Sequence, residues 1–402
     1  MRKYLGVLLF SLIVLACLSP AAVAGAETRK QRVVSFAASC FHESGGALSH
    51  PDAESPTLSA SHAIVSVIGA LDGWADANAT HPDWDLWANM SSWVQGFWND
   101  TIVANNTNYG GFYLFDGAEN ASLTATSLAI QTLHHVNATF AVDYTIVVNF
   151  TACHQRLNET VYPVTYGGFA DTIDANATIA ATYYVLELLG DEEIYAPYID
   201  EINMTIIAPW LNSCQVLSPT ISPSYGGFMN SPNATIADLQ STFMAVRSLE
   251  ILDELDVIDQ AAALQFVLSC FQNNTNYPHY LGGYSATPDD IVSTQIATYY
   301  AVRTLFILGA ESQLQLQNDT IASWVISKQT TEGGFSDTAE GTALAQQTNW
   351  AIQTLVLLNQ TDLLLEILVY DPPQFPWLIV GGIVVVVFLV ILVIFARRRK
   401  WI

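Results

Sequence analysis

Basic residues are scarce in this chain: 13 lysines and arginines stand against 37 aspartates and glutamates in 402 residues, a formal net charge of −24. Six of the 13 lie at the two ends, as Arg2, Lys3 and the run Arg397-Arg398-Arg399-Lys400, so the body between them carries about −30. Such a field excludes nucleic acid and anionic lipid surfaces as partners. The acidic excess reads as a solvated, self-repelling exterior. Calcium at Asp289-Asp290, or at Asp171 and Asp174, is the lesser alternative, because no regular loop of oxygen ligands accompanies either pair.

Cysteine is nearly as sparse, with five in the chain, one of them (Cys17) in an N-terminal apolar run. No Cys/His spacing of a zinc module is present. Charged residues of all kinds make up only 12% of the chain.

What the chain has in abundance is a repeat. Gly-Gly pairs occur at Gly45-Gly46, Gly110-Gly111, Gly167-Gly168, Gly226-Gly227, Gly282-Gly283 and Gly333-Gly334, the last five followed by Phe or Tyr. Successive first glycines are 65, 57, 59, 56 and 51 residues apart. After each pair and a short loop comes an apolar pattern of helical spacing, such as Ala129-Ile130 with Leu133, or Ala301-Val302 with Leu305. A second apolar stretch, for example 258–271, leads to the next pair. Each unit therefore predicts a helical hairpin, with glycine at the reversal where positive φ is cheap only without a Cβ. Cys40, Cys153, Cys214 and Cys270 each end the helix that precedes a Gly-Gly, a spacing of about one helix diameter, wider than the ~7 Å a disulfide spans. They are expected to be buried packing residues, a Cys214 to Cys270 bridge being the strongest exception.

Both ends read as targeting segments. Residues 1–24 have the basic start, apolar run and Ala22-Val23-Ala24 cleavage pattern of a signal peptide. Residues 377–396 are uncharged and mostly apolar, long enough to span a bilayer, and stop at the basic tail 397–402. The expected product is a single-pass type I protein of the cell membrane with its bulk, residues 28–362, extracellular, and a juxtamembrane linker over 363–376. Fourteen Asn-x-Ser/Thr sequons in the body suggest a glycosylated surface. The candidates carried forward are Asn78, Asn89, Asn105, Asn120, Asn137, Asn158, Asn176, Asn233, Asn273 and Asn318.

The unit from Cys214-Gln215 through Tyr225-Gly226-Gly227-Phe228, seen again from Cys270 to Leu305, resembles the repeat shared by protein prenyltransferase β subunits and the squalene-cyclase group. The resemblance covers nearly the whole body. It implies an all-α fold, an α6/α6 toroid in which the helix after each Gly-Gly is an inner one around a central cavity. It also raises a helical partner subunit, because prenyltransferase β subunits pair with one.

The chemistry that the resemblance would bring is missing its residues. The family's zinc is held by Asp-x-Cys and a later His; here the matching positions are Asp238-Leu239-Gln240 and Gln347, and amides are poor substitutes for a thiolate and an imidazole. The cyclases' Asp-x-Asp-Asp is incomplete at both Asp171-Thr172-Ile173-Asp174 and Asp289-Asp290, where helix caps and turns account for the aspartates. The Gly-Cys-Gly-Glu-Gln of thioester domains is absent. No cofactor or metal is expected, and Asp238 is the one weak catalytic candidate.

One helical turn past the family's His position the six copies carry His62, Leu128, Tyr184, Met244, Tyr300 and Trp350. All but Leu128 are named as cavity candidates, a mostly aromatic ring able to face a lipid, an isoprenoid chain or a sugar. The expected function is binding of a protein, glycan or apolar ligand. The alternative is a divergent enzyme acting on an isoprenoid or polysaccharide in the cavity.

Overall fold

The computed structural model describes residues 27–366, apart from 81–84, 105–106, 116–117, 139–141, 191–201 and 339. The signal and membrane segments inferred above, and Asn105, lie outside the described residues. Among the described residues no helix is long and apolar enough to cross a membrane.

Residues Arg29–Leu365 form one unit, in which the described residues include 13 α-helices. In chain order these are α1 (Arg29–Ser39), α2 (Leu58–Ala70), α3 (Trp74–Thr80), α4 (Leu86–Gln95), α5 (Leu123–His135), α6 (Tyr144–Cys153) and α7 (Ile179–Leu189). They continue with α8 (Ile207–Ser213), α9 (Leu239–Ile251), α10 (Gln260–Ser269), α11 (Gln295–Ile307), α12 (Glu311–Ile326) and α13 (Ala345–Leu357). The six helices that follow a Gly-Gly pack in a closed ring, α2 on α5, α5 on α7, α7 on α9, α9 on α11, α11 on α13 and α13 back on α2. These inner helices have apolar residues on nearly every face, as in α9 with Leu239, Phe243 to Val246 and Leu249 all buried, because each has helix neighbours on both sides and outside.

Their starts are fixed by the sequence. Thr57, Ser122, Thr178, Asp238 and Thr294 are N-caps whose side chains accept from the backbone N–H three residues on, each with extended φ between −128 and −137°. Leu344 holds the same place before α13 without a side-chain cap. A second bond comes from the next repeat: Asp171 accepts from Thr124 N at 2.8 Å, and Asp337 from Gln295 N at 2.7 Å. Of the aspartates weighed as metal or cyclase residues, Asp171 is thus a helix cap and Asp290 a turn residue, accepting from Val292 N at 3.0 Å.

The glycines do more than reverse the chain. Five of the six first glycines have φ between +89 and +105°, and each pair lies flat against the following outer helix. A Cβ on the second glycine would stand within 2.5–2.8 Å of Trp93, Phe150, Trp210, Phe266, Trp324 or Phe36 in turn. The last of these closes the ring, since Phe36 belongs to α1 at the other end of the chain while its partner is Gly334. The second repeat departs from the pattern: Gly110 and Gly111 sit in an antiparallel hairpin of β1 (Trp98–Ala104) and β2 (Thr107–Phe112), strands that the helical-hairpin reading did not foresee. A second pair, β3 (Phe228–Met229) with β4 (Ala237–Asp238), brackets a loop.

Cys40, Cys153, Cys214 and Cys270 are free, so the Cys214 to Cys270 bridge is not formed. Burial pushes the Cys40, Cys214 and Cys270 thiols up to about 12, which leaves them inert packing groups. Of the sequons, Asn89, Asn120, Asn137, Asn158, Asn176, Asn233 and Asn273 are exposed and Asn78 is half-buried. Asn318 lies within α12, is half-buried, donates to the Leu358 carbonyl at 3.4 Å and has its side-chain oxygen buried.

Candidate functional site

The ring of inner helices encloses a cavity of about 380 Å³. Counting from the N-caps shows how the sequence lines it. The fifth and sixth residues after each cap give His62 and Ala63 on α2, Leu128 on α5, Tyr183 and Tyr184 on α7, Phe243 on α9, Tyr299 and Tyr300 on α11, and Asn349 and Trp350 on α13. One turn deeper, the ninth residues give Ser66, Gln131, Glu187, Arg247, Arg303 and Gln353, one from each helix. Ser59 and Gln346, two after their caps, and His135 at the end of α5 complete the lining.

Of the residues named from sequence, His62, Tyr184, Tyr300 and Trp350 border the cavity, and Met244 does not. Met244 is only 1% exposed and belongs to the apolar seam between helices; Phe243, one residue earlier, takes its place. The two positions share the cavity face on α7 and α11, but on α9 only the fifth points inward. The ninth-position tier was missed entirely, although a polar residue recurs there in every copy on an otherwise apolar helix.

The cavity has two unlike walls. On α7, α9 and α11 the aromatic rings pack together: Phe243 stacks on Tyr300 at 4.8 Å between centroids, and Tyr183 meets Phe243 edge-on at 5.6 Å. Burial raises the Tyr183 and Tyr300 hydroxyls well above their usual range, so both stay protonated donors. On α13, α2 and α5 amides, hydroxyls and imidazoles predominate, beside Trp350, Leu128 and Ala63. Gln346 donates to Ser59 Oγ at 3.1 Å and Gln353 to Ser66 Oγ at 3.2 Å, tying α13 to α2, while Gln131 donates to Ser127 Oγ at 2.9 Å. His62 is half-buried, its ring 5.7 Å from that of His135. Burial, with His135 alongside, pushes its pKa down to about 4 against the opposing effect of a hydrogen bond with Gln131 as acceptor. At neutral pH it is an uncharged donor and acceptor.

Among the described residues the charges of the cavity come from three, Glu187, Arg247 and Arg303. Arg247 donates to Glu187 at 2.6 Å and to Glu250 at 2.7 Å. Arg303 makes no hydrogen bond or ion pair among the described residues.

Asp238, the weak catalytic candidate, is the α9 N-cap, its Oδ1 accepting from Ser241 N at 2.7 Å. Gln240 is exposed, and Gln347 donates to Asp337 Oδ2 at 2.6 Å. No group of three or more His, Cys, Asp or Glu side chains is placed to hold a metal among the described residues, and the two amides at the family's thiolate and imidazole positions do not fit its zinc.

The prenyltransferase α/α-toroid domain model matches residues 3–186 and 174–370. The chain belongs to that family. Its fold is similar to that of Candida albicans protein geranylgeranyltransferase-I, with a TM-score of 0.60 at 13% identity over 77% of this chain and 86% of that one. It is also similar to the type II terpene cyclase MstE from Scytonema, with a TM-score of 0.52 at 12% identity over 83% and 97% of the two chains. No curated protein matches the chain in sequence.

Proposed function

We propose that this family member is a membrane-anchored, extracellular glycoprotein whose toroid cavity binds a hydroxyl-rich ligand, a short glycan or a sugar unit of one. The observation that carries the reading is the pairing of walls: stacked Phe243 and Tyr300 on one side, Gln131, Gln346 and Gln353 on the other. A sugar ring has an apolar face for the first and hydroxyl edges for the second. An isoprenoid chain would satisfy only the aromatic wall and would leave the amides, Arg303 and the Glu187–Arg247 pair desolvated without compensation. The signal and membrane segments and the sequon density in the sequence support the location and glycosylation.

Binding is favoured over turnover by the count of carboxylates. Glycoside hydrolysis ordinarily uses two flanking the scissile bond; among the described residues the lining contains Glu187 alone, and its oxygen is held by Arg247. The reading is tested on full-length protein from a glycosylating secretory host, by calorimetric titration with mono- and disaccharides and by mass spectrometry of co-purified small molecules. Saturable sugar binding weakened in Phe243→Ala and Gln353→Ala is expected. A stoichiometric isoprenoid lipid, with no sugar binding, would overturn it.

A further inference from the structure

The body of this chain has seven basic residues, and two of them, Arg247 and Arg303, face one cavity. The other five are accounted for elsewhere. Arg29, Lys30 and Arg32 lie on the outer helix α1. Arg156 is spent on the carbonyls of Thr172, Ile173 and Ala175. Lys328 donates to the His279 carbonyl at 2.6 Å.

Within the cavity the balance is uneven. Among the described residues Glu187 is the one carboxylate of the lining, and it is engaged by Arg247, which also holds Glu250. Arg303 is left half-buried with no hydrogen bond or ion pair among the described residues. It projects from α11 one turn below Tyr299, whose hydroxyl it faces closely enough to favour the phenolate, although burial dominates and raises that group. His62 on the facing wall is neutral and supplies no compensating charge. The Arg303 guanidinium meets the solvent of the cavity without a counter-ion, in a chain short of cations, and it forms a fork suited to a carboxylate or a phosphate.

We infer that the ligand of the cavity carries one anionic group, a carboxylate or a phosphate, seated on Arg303 with its neutral body against the stacked rings of Phe243 and Tyr300. This rests on the reading of the cavity as a binding site and adds the ligand's charge. An acidic sugar, such as a uronic acid, and a sugar phosphate share the required chemistry.

The test titrates the full-length protein with D-glucose, D-glucuronate and inorganic phosphate at fixed ionic strength, in wild type, Arg303→Gln and Arg303→Lys. Glucuronate is expected to bind about tenfold tighter than glucose in wild type, the size of one charge-assisted hydrogen bond. That advantage should vanish in R303Q and return in part in R303K. Because Arg303 supports no neighbour, R303Q should melt with wild type, which a thermal scan verifies. Equal binding of glucose and glucuronate would overturn the anion seat and leave the glycan cavity standing, as would a glucuronate preference that survives R303Q. Arg303-dependent phosphate binding with neither sugar bound would support the anion seat and remove the glycan reading. No binding of any probe would overturn both.

Discussion

Glu187 on α7 and Arg247 on α9 are joined across adjacent inner helices by a 2.6 Å bond, each side chain about a quarter exposed. The pair is therefore neither a surface ion pair worth almost nothing nor a fully desolvated one. Removing its acid leaves Arg247 with Glu250 only and frees the edge of its guanidinium that faced Glu187, in the same cavity as Arg303. Glu187→Gln should destabilise the fold by about 1–2 kcal/mol while tightening an anionic ligand. Urea denaturation checks the first effect and glucuronate titration the second. A variant that loses stability but binds glucuronate less well than wild type would show that Glu187 touches the ligand itself.

Asp238 does locally what Thr57, Thr178 and Thr294 do in other repeats. Asp238→Thr should therefore be nearly neutral and Asp238→Ala should cost about 1 kcal/mol in a denaturant melt. Ligand affinity should be unchanged in both, and bound zinc measured by elemental analysis should be absent from wild type and variants alike. Loss of binding in D238T with an unaltered melt would mean that the carboxylate has a role beyond its cap.

These two aspartate and glutamate positions show what the sequence makes legible and what it hides. The toroid is readable because Gly-Gly must recur wherever a loop lies against the next outer helix, and no other residue fits there. Ring closure was less visible: Phe36 and Gly334 are the first and last members of a series whose aromatic sits on the following helix, so the partner of each glycine is found one repeat downstream. The aromatic wall was half legible, since Met244 shares the register of Tyr184 and Tyr300, six residues after the cap, and only the structure shows that on α9 it is the fifth, Phe243, that points inward. The polar tier stayed hidden because Ser66, Gln131, Glu187, Arg247, Arg303 and Gln353 share a position and no chemistry. Only the ring brings Glu187 to Arg247 and leaves Arg303 alone. The β1–β2 hairpin was missed because its glycines were counted with the loops.

The glycine contacts grade the repeats. A Cβ at Gly226 would stand 1.9 Å from the Ala262 carbonyl oxygen, at φ +89°. Gly309 has a positive φ of +65° with nothing within 4 Å. Gly226→Ala should lose about 3 kcal/mol or more, because backbone must move. Gly309→Ala should lose about 1 kcal/mol from conformational strain alone. Similar losses in the two variants would show that the α10 backbone yields at no cost, against the close packing described.

Glycan occupancy should follow exposure. Glycopeptide mass spectrometry of the secreted protein is expected to find Asn158, Asn233 and Asn273 modified, since each is exposed in a loop, and Asn318 unmodified, since its amide is spent on Leu358. Full occupancy at Asn318 would require the α12–α13 contact to form after modification.

The histidine pair gives a pH signature with a definite sign. His62 has its folded pKa pushed down to about 4 from 6.5, chiefly by burial. The unfolded chain thus takes up a proton near pH 6.5 that the folded chain refuses until near pH 4, and stability falls as pH drops through that window. The ceiling is about 3 kcal/mol at roughly 1.4 kcal/mol per unit, reduced by the part of the ring that meets solvent. His62→Gln removes the proton site and keeps a polar side chain beside Gln131 and His135. It should therefore be less sensitive than wild type between pH 6.5 and 4 in urea melts, the two converging in slope at neutral pH. The carboxylates, neutralised over the lower part of the same range, act on both proteins alike and cancel in the difference. Identical slopes for wild type and H62Q at every pH would mean that the imidazole takes its proton from solvent as freely in the cavity as in the unfolded chain.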